Sequence, residues 1–299
     1  MSETEREIAS QPEMWRRAVE VAADPEAVEV LPRHGERAGV FGCGTSWFIA
    51  QAYAALREAA GHGETDAWTP TEEIARRPYD RRLAISRSGT TTEVIASVQT
   101  VHGTGVITGV RDSPLAAVAE RTLLLDFADE RSVVQTRFAT TTLALLRASL
   151  GQDLWPAIVD AERALAESLP VDPTAFEHFV FLGHGWTVGL AHEAALKLRE
   201  AAQAYTESYP AMEYRHGPVS VAGPRTLVWV LGTPDTSVAS DIAATGATVR
   251  TAELDPMAEL VLIQRAAVAL AEARGLDVDH PRNLTRSVVL TGANDPHER

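Results

Sequence analysis

The sequence predicts an α/β protein made of two similar halves. Short apolar runs alternate with stretches of helical periodicity, a pattern that favours parallel sheets flanked by helices. Segments of the first half also recur in the second at a nearly constant offset, which is the mark of duplication. At 299 residues the chain has the length of two ordinary domains.

In chain order, the apolar runs predict strands over 38–41, 83–86, 105–107 and 123–126 in the first half. Helical spacing places helices over 46–60, 92–102 and 134–150 between and after them. A helix plus connector fills 152–173. Strands follow over 180–182, 227–231 and 248–252, with helices over 187–204, 237–245 and 258–274. The repeat is visible in letters: VFGCGTSWFIA from Val40 aligns with VFLGHGWTVGLA from Val180, so that Gly42 and Gly44 answer Gly183 and Gly185. LREAA stands at 56–60 and again at 198–202, and TPTEE from Thr69 answers YPAME from Tyr209. These matches share an offset of 140 to 142 residues. The expected division is 1–172, an N-terminal helix and first domain with connector, and 173–299, a second domain and C-terminal tail.

Composition narrows the function. A formal net charge of −14 with no basic block argues against a nucleic-acid surface. No apolar run reaches the roughly 18 residues a membrane span requires, and MSETERE lacks the basic start of a signal peptide. Cys43 stands alone, so an internal disulfide cannot form and a reducing, cytoplasmic setting is expected.

Chemistry concentrates in SRSGTTTE, where a strand turns into a helix. Five hydroxyls, Ser86, Ser88, Thr90, Thr91 and Thr92, share seven residues with Arg87 and Gly89. A helix N-terminus offers unpaired N–H groups and partial positive charge, hydroxyls add donors with little bulk, and glycine permits a tight turn. N-capping uses one or two hydroxyls; the surplus points to a phosphate. The G-x-G turn of the first half opens on Thr45 and Ser46. Trp47 stands where the third glycine of a dinucleotide fingerprint would fall, so no nucleotide cofactor is expected. His184 and His192 lack metal-ligand spacing, and no metal is expected.

SRSGTTTE and FGCGTSWFIA resemble the phosphosugar-binding loops of the SIS (sugar isomerase) family. HEAALKLREAAQAYTESYPAMEYRHGP resembles the isomerase region of glucosamine-6-phosphate synthase, and EIASQP near the start and DVDHPRNLTRSV near the end extend the similarity over 7–288. The resemblance implies two tandem SIS domains, each a parallel five-stranded sheet flanked by helices, acting on a small-molecule sugar phosphate. It implies phosphate contacts from Ser46, Ser86, Arg87, Ser88 and Thr91, and a sugar lined by Cys43, Gly44, Thr45, Gln135, Lys197 and Arg286. It makes Glu200 the base that removes the C2 proton and His216 the ring-opening group, reaching the neighbouring subunit's site, so a homodimer is implied. Glu193 and Lys197 share a helix face with Glu200 and are expected to bind the sugar or orient that base.

Three departures carry information; one is Gln135, which stands where the synthase has a serine near the sugar and is expected to donate to a larger substituent such as an acetamido group. Arg87 replaces an uncharged amide and is expected to add a charge-assisted bond to phosphate. Arg286 replaces the lysine that forms an imine with the ketose, and a guanidinium cannot serve as that nucleophile. With no amide-transferring domain expected ahead of the SIS unit, glutamine-dependent synthesis by this chain alone is not expected. The expected activity is ring opening and C2 deprotonation of a hexose or amino sugar 6-phosphate, of the glucosamine or N-acetylglucosamine type. It leads to isomerisation, deamination or loss of the 3-hydroxyl. The alternative is a sugar-phosphate sensor without turnover.

Overall fold

A computed structural model describes residues 1–72, 77–233 and 236–290; the tail TGANDPHER lies outside them. The first sheet comprises β1 (Ala38–Phe41), β2 (Thr65–Trp68), β3 (Arg81–Ser86), β4 (Thr104–Thr108) and β5 (Arg121–Leu124), all parallel, in the order β2-β1-β3-β4-β5. The second comprises β6 (His178–Gly183), β7 (Tyr205–Pro210), β8 (Thr226–Val230) and β9 (Thr248–Thr251), again parallel, in the order β7-β6-β8-β9. The four strands repeat the first four positions of the larger sheet, so the duplication read from the letters is also a duplication of topology. The expected fifth strand of the second sheet is corrected by this order. After β9 the chain enters a long helix capped by the Asp255 side chain, which accepts from Met257 N at 2.9 Å, and it adds no further strand among the described residues.

The helices are α1 (Glu3–Ala9), α2 (Gln11–Ala22), α3 (Pro25–Val30), α4 (Thr45–Ala59), α5 (Thr92–Thr100), α6 (Pro114–Val118), α7 (Arg137–Ser149), α8 (Trp155–Ala166), α9 (Thr187–Ala202), α10 (Thr236–Ala243) and α11 (Pro256–Ala273). In both copies a glycine in the left-handed region turns the chain from the first strand into its helix: Gly44 at φ 54° and Gly185 at φ 55°. The recurring LREAA also has a structural reason. Arg57 Nη1 donates to the Thr65 hydroxyl at 2.8 Å, and Arg199 Nη1 donates to the Thr206 hydroxyl at 3.0 Å. In each half this arginine ties the helix to its own edge strand.

The two halves share their largest apolar cluster, while a smaller one covers the other face of each sheet. Ile49 and Tyr53 of α4, Leu190, Ala194 and Leu198 of α9, and Val261 and Leu262 of α11 belong to a continuous buried cluster. The sequence boundary at 172/173 falls between α8 and β6, yet α8 packs on α2 and on α11. The halves come close at Gly189 on α9, where a Cβ would stand 2.5 Å from Phe48 O and 2.8 Å from Ala52 N of α4. Only a glycine lets these backbones meet. No described helix is long and apolar enough to cross a membrane.

Replacing Gly189 with Ala gains roughly 1 kcal/mol of helix propensity but forces α4 and α9 apart, at about 1–3 kcal/mol. The expected net result is a lower urea midpoint with an unchanged slope. An equal or higher midpoint would contradict the close approach.

Candidate phosphosugar site

In a 2-1-3-4-5 sheet the connections from the two central strands leave in opposite directions, and ligands bind in the crevice beyond their C-terminal ends. Here β1 and β3 diverge in that way. The cleft above them is lined by Cys43, Gly44, Thr45 and Ser46 after β1, and by Ser86, Arg87, Ser88 and Thr91 after β3. Val133 and Gln135, the carboxylates Glu93 and Glu200, and residues 284–288 complete it. Ser46, Ser86 and Ser88 are each under a tenth exposed. Gly89, at φ 63°, is doubly required, since a Cβ there would lie 2.2 Å from the Ser113 hydroxyl.

The hydroxyl surplus divides into two jobs. Thr90 Oγ1 lies 2.9 Å from Ser88 Oγ and 2.7 Å from Ser287 Oγ, and Thr92 Oγ1 accepts from Leu290 N at 3.0 Å. Thr92 N donates to Val288 O at 3.3 Å. Thr90 and Thr92 therefore hold the C-terminal segment 284–290 as a strap across the loop. Ser86, Ser88 and Thr91 are left lining the cleft at the N-terminus of α5, with Ser46 at the N-terminus of α4.

Two of the expected ligand contacts have protein partners of their own. Arg87 was expected on the phosphate, but its guanidinium is committed elsewhere: Nη1 donates to Ser132 O and Nη2 to Arg286 O, both at 2.8 Å, and Glu130 stands 3.8 Å away. Buried to 1% exposure, it lines the cleft while its guanidinium ties the cleft's walls together. Arg286 was expected on the sugar. Its guanidinium donates to the Glu130 carbonyl and, at 2.5 Å, to Asp129 Oδ1, so it pins the strap to the 129–136 loop. With both guanidiniums engaged, hydroxyls and helix N-termini are the groups left to face an anion.

The second half supplies the remaining chemistry through α9. Lys197 Nζ donates to Glu200 Oε2 at 2.6 Å and to Thr45 Oγ1 at 3.1 Å, with Glu193 Oε1 at 3.3 Å. Lys197 does not line the cleft; it is 1% exposed and lies behind Glu200 and Thr45, bonded to both. Burial alone would lower its ammonium, but Glu193 and Glu200 outweigh burial and hold it up. One ammonium cannot balance two carboxylates in a dry site, and Glu193, fully buried and facing the Glu200 charge, is pushed up to about 7. Glu200 itself is 19% exposed and opens to the cleft. Cys43 is no nucleophile, because burial and then Glu93 push its thiol up to about 11. Gln135 lines the cleft and has a buried Oε1 without a hydrogen-bond partner.

His216 is exposed, follows the Glu213–Arg215 turn, and does not line the cleft of its own chain. Sequence reasoning does not single out Glu93, whose Oε2 is buried without a hydrogen-bond partner, although it lies inside the quoted motif. Nor does it foresee the strap. Among the described residues no group of three His, Cys, Asp or Glu side chains gathers as a metal site.

No family model matches the chain. Over 96% of its length it is 27% identical to the glutamine–fructose-6-phosphate aminotransferase (isomerizing) of Rhizobium leguminosarum bv. viciae, of which it covers 58%. The crystal structure of glucosamine-6-phosphate deaminase from Thermotoga maritima superposes with a TM-score of 0.83 at 24% identity, covering 97% of this chain and all of that one. The chain thus shares the fold of this deaminase. The C-terminal domain of the Francisella tularensis glucosamine-fructose-6-phosphate aminotransferase matches the chain with a TM-score of 0.81 at 21% identity, over 94% of it and 98% of that domain. The chain spans about half the length of the curated relatives it matches.

The Glu193 shift sets a pH dependence. A carboxyl raised in the folded state contributes fully below its unfolded value of 4.5, and that contribution is lost as pH rises through about 7. Glu193→Gln removes this term. Its denaturation midpoint is expected to fall less than that of wild type as pH is raised through this window; parallel curves would place the proton elsewhere.

Proposed function

We propose that the chain is a phosphosugar enzyme that opens the ring of a hexose or amino sugar 6-phosphate and removes its C2 proton. The observation that carries this reading is the meeting in one cleft of Ser86, Ser88 and Thr91 from the first half with the Glu200 carboxylate from the second. The phosphate is held by Ser46, Ser86, Ser88, Thr91 and the N-termini of α4 and α5. His216, contributed by a neighbouring subunit of a homodimer, assists ring opening. Glu200 takes the C2 proton, positioned by the Lys197 ammonium at 2.6 Å.

The resulting enediol or enaminol has three exits: reprotonation at C1 to a ketose, loss of a free 2-amino group, or expulsion of the 3-hydroxyl. The relatives are named for aminotransfer to fructose 6-phosphate, and one structural neighbour is a glucosamine-6-phosphate deaminase. Arg286 removes one route, since a guanidinium tied to Asp129 cannot form an imine with the ketose. The orphan acceptor of Gln135 suits a substrate that donates from a hydroxyl or a 2-nitrogen. A sensor could use the hydroxyl loop alone; the buried ammonium dedicated to orienting Glu200 favours the enzyme.

With glucosamine 6-phosphate, N-acetylglucosamine 6-phosphate and fructose 6-phosphate in D2O, wild type is expected to exchange or convert at C2 at least one, read by NMR. Glu200→Gln is expected to abolish that exchange, and undiminished exchange would remove Glu200 from the chemistry. Binding without exchange by wild type would favour the sensor. Separately, mixed oligomers of Glu200→Gln and His216→Ala chains should regain activity that neither has alone, because one site then has both groups. Mixtures as inactive as their parents would place His216 outside the partner's site.

A further inference from the structure

The motif EIASQP has no place in the chemistry above, yet its Glu7 is 2% exposed, a burial that carboxylates rarely accept without a role. Glu7 Oε1 accepts from Arg131 N at 2.6 Å and from Ser132 N at 3.4 Å, fixing the start of the loop that carries Val133 and Gln135 into the cleft. The Ser132 carbonyl of that turn receives Arg87 Nη1 at 2.8 Å, and Arg87 Nη2 goes on to the Arg286 carbonyl of the strap at 2.8 Å. The same helix makes a second link: Thr4 Oγ1 meets Ser132 Oγ and Asp279 Oδ1, both at 2.7 Å.

We propose that Glu7 is a positioning residue for the cleft, setting the 131–135 wall and, through Ser132 and Arg87, the strap over the hydroxyl loop. It touches no substrate. It acts by presenting an acceptor to two backbone N–H groups, which an amide oxygen also does. Burial, and behind it the charge of Glu130, pushes the Glu7 carboxyl up to about 7, so a neutral group of the same shape is at home there. The identity of the ligand rests on the phosphosugar reading; the coupling between α1 and the two walls does not.

The test compares Glu7→Ala, Glu7→Asp and Glu7→Gln in the full chain. Hydrogen exchange of the ligand-free proteins is expected to show faster exchange over 130–136 and 284–290 in the Ala and Asp variants, and wild-type protection in the Gln variant. On the sugar phosphate that wild type turns over, the Ala and Asp variants are expected to raise KM about tenfold or more with kcat within threefold. The Gln variant should stay within threefold on both. Should the Ala protein not fold, the Asp variant, one methylene short of Arg131 N, decides the outcome. Wild-type exchange and an unchanged KM in the Asp variant would overturn the proposal, as would a Gln variant no better than Asp. If wild type acts on none of the three sugar phosphates, the functional reading falls, and the exchange experiment still decides the coupling.

Discussion

A single ammonium holds the site together. Lys197 belongs to the second half of the chain, yet it donates to Thr45 at the start of the first half's leading helix and to Glu200 at the edge of the cleft. At 1% exposure it has no water to fall back on. Removing it would leave Glu193 and Glu200 without their counter-charge, and an uncompensated buried charge is worth about 3–5 kcal/mol against folding. The bridge works only because α4 and α9 touch at Gly189, which brings the N-terminus of one helix beside the C-terminal turns of the other. Close backbone packing and the siting of the Glu200 carboxylate are thus one arrangement.

Duplication explains the scaffold, and divergence within it explains why the chemistry sits on one side. At the offset of 142 set by the two LREAA segments, Glu193, Lys197 and Glu200 correspond to Gln51, Ala55 and Glu58. Ala55 cannot hold a carboxylate, and Glu58 is spent on its own backbone, accepting from Thr65 N at 2.8 Å. The arginine of LREAA has kept its duty in both copies, tying helix to edge strand. The glutamate after it has not: it caps a strand in the first copy and faces a cleft in the second.

Much of this was legible in the letters, for physical reasons that also mark where legibility stops. Strands buried on both faces, such as β1, β3 and β6, read as apolar runs, and the helices between them keep their period. The edge strands β2 and β7 escaped notice because TDAW and YTESYP are short and largely polar, with one side of the ladder unpaired. In the cleft, residues whose place follows from their own neighbours in sequence line it together, as with Ser86, Ser88 and Thr91. Those whose role depends on distant partners were not legible. Nothing near Arg87 announces that Ser132 and Arg286 will occupy its guanidinium, and nothing near Thr90 announces Ser287.

Distant partners also join Arg87 and Arg286, two of the departures read in the sequence. Read along the chain, Arg87 and Arg286 are separate oddities, each easily assigned to the ligand. In space they form one cluster: Arg87 donates to the Arg286 carbonyl, Arg286 pairs with Asp129, and Glu130 lies between them. The charges are matched within the wall, so the cleft gains rigidity and little net positive potential. A phosphate there would be held chiefly by short hydroxyl and backbone donors whose geometry is set in advance. Such a site gives up long-range attraction on a protein of net charge −14 and relies on preorganised contacts at short range.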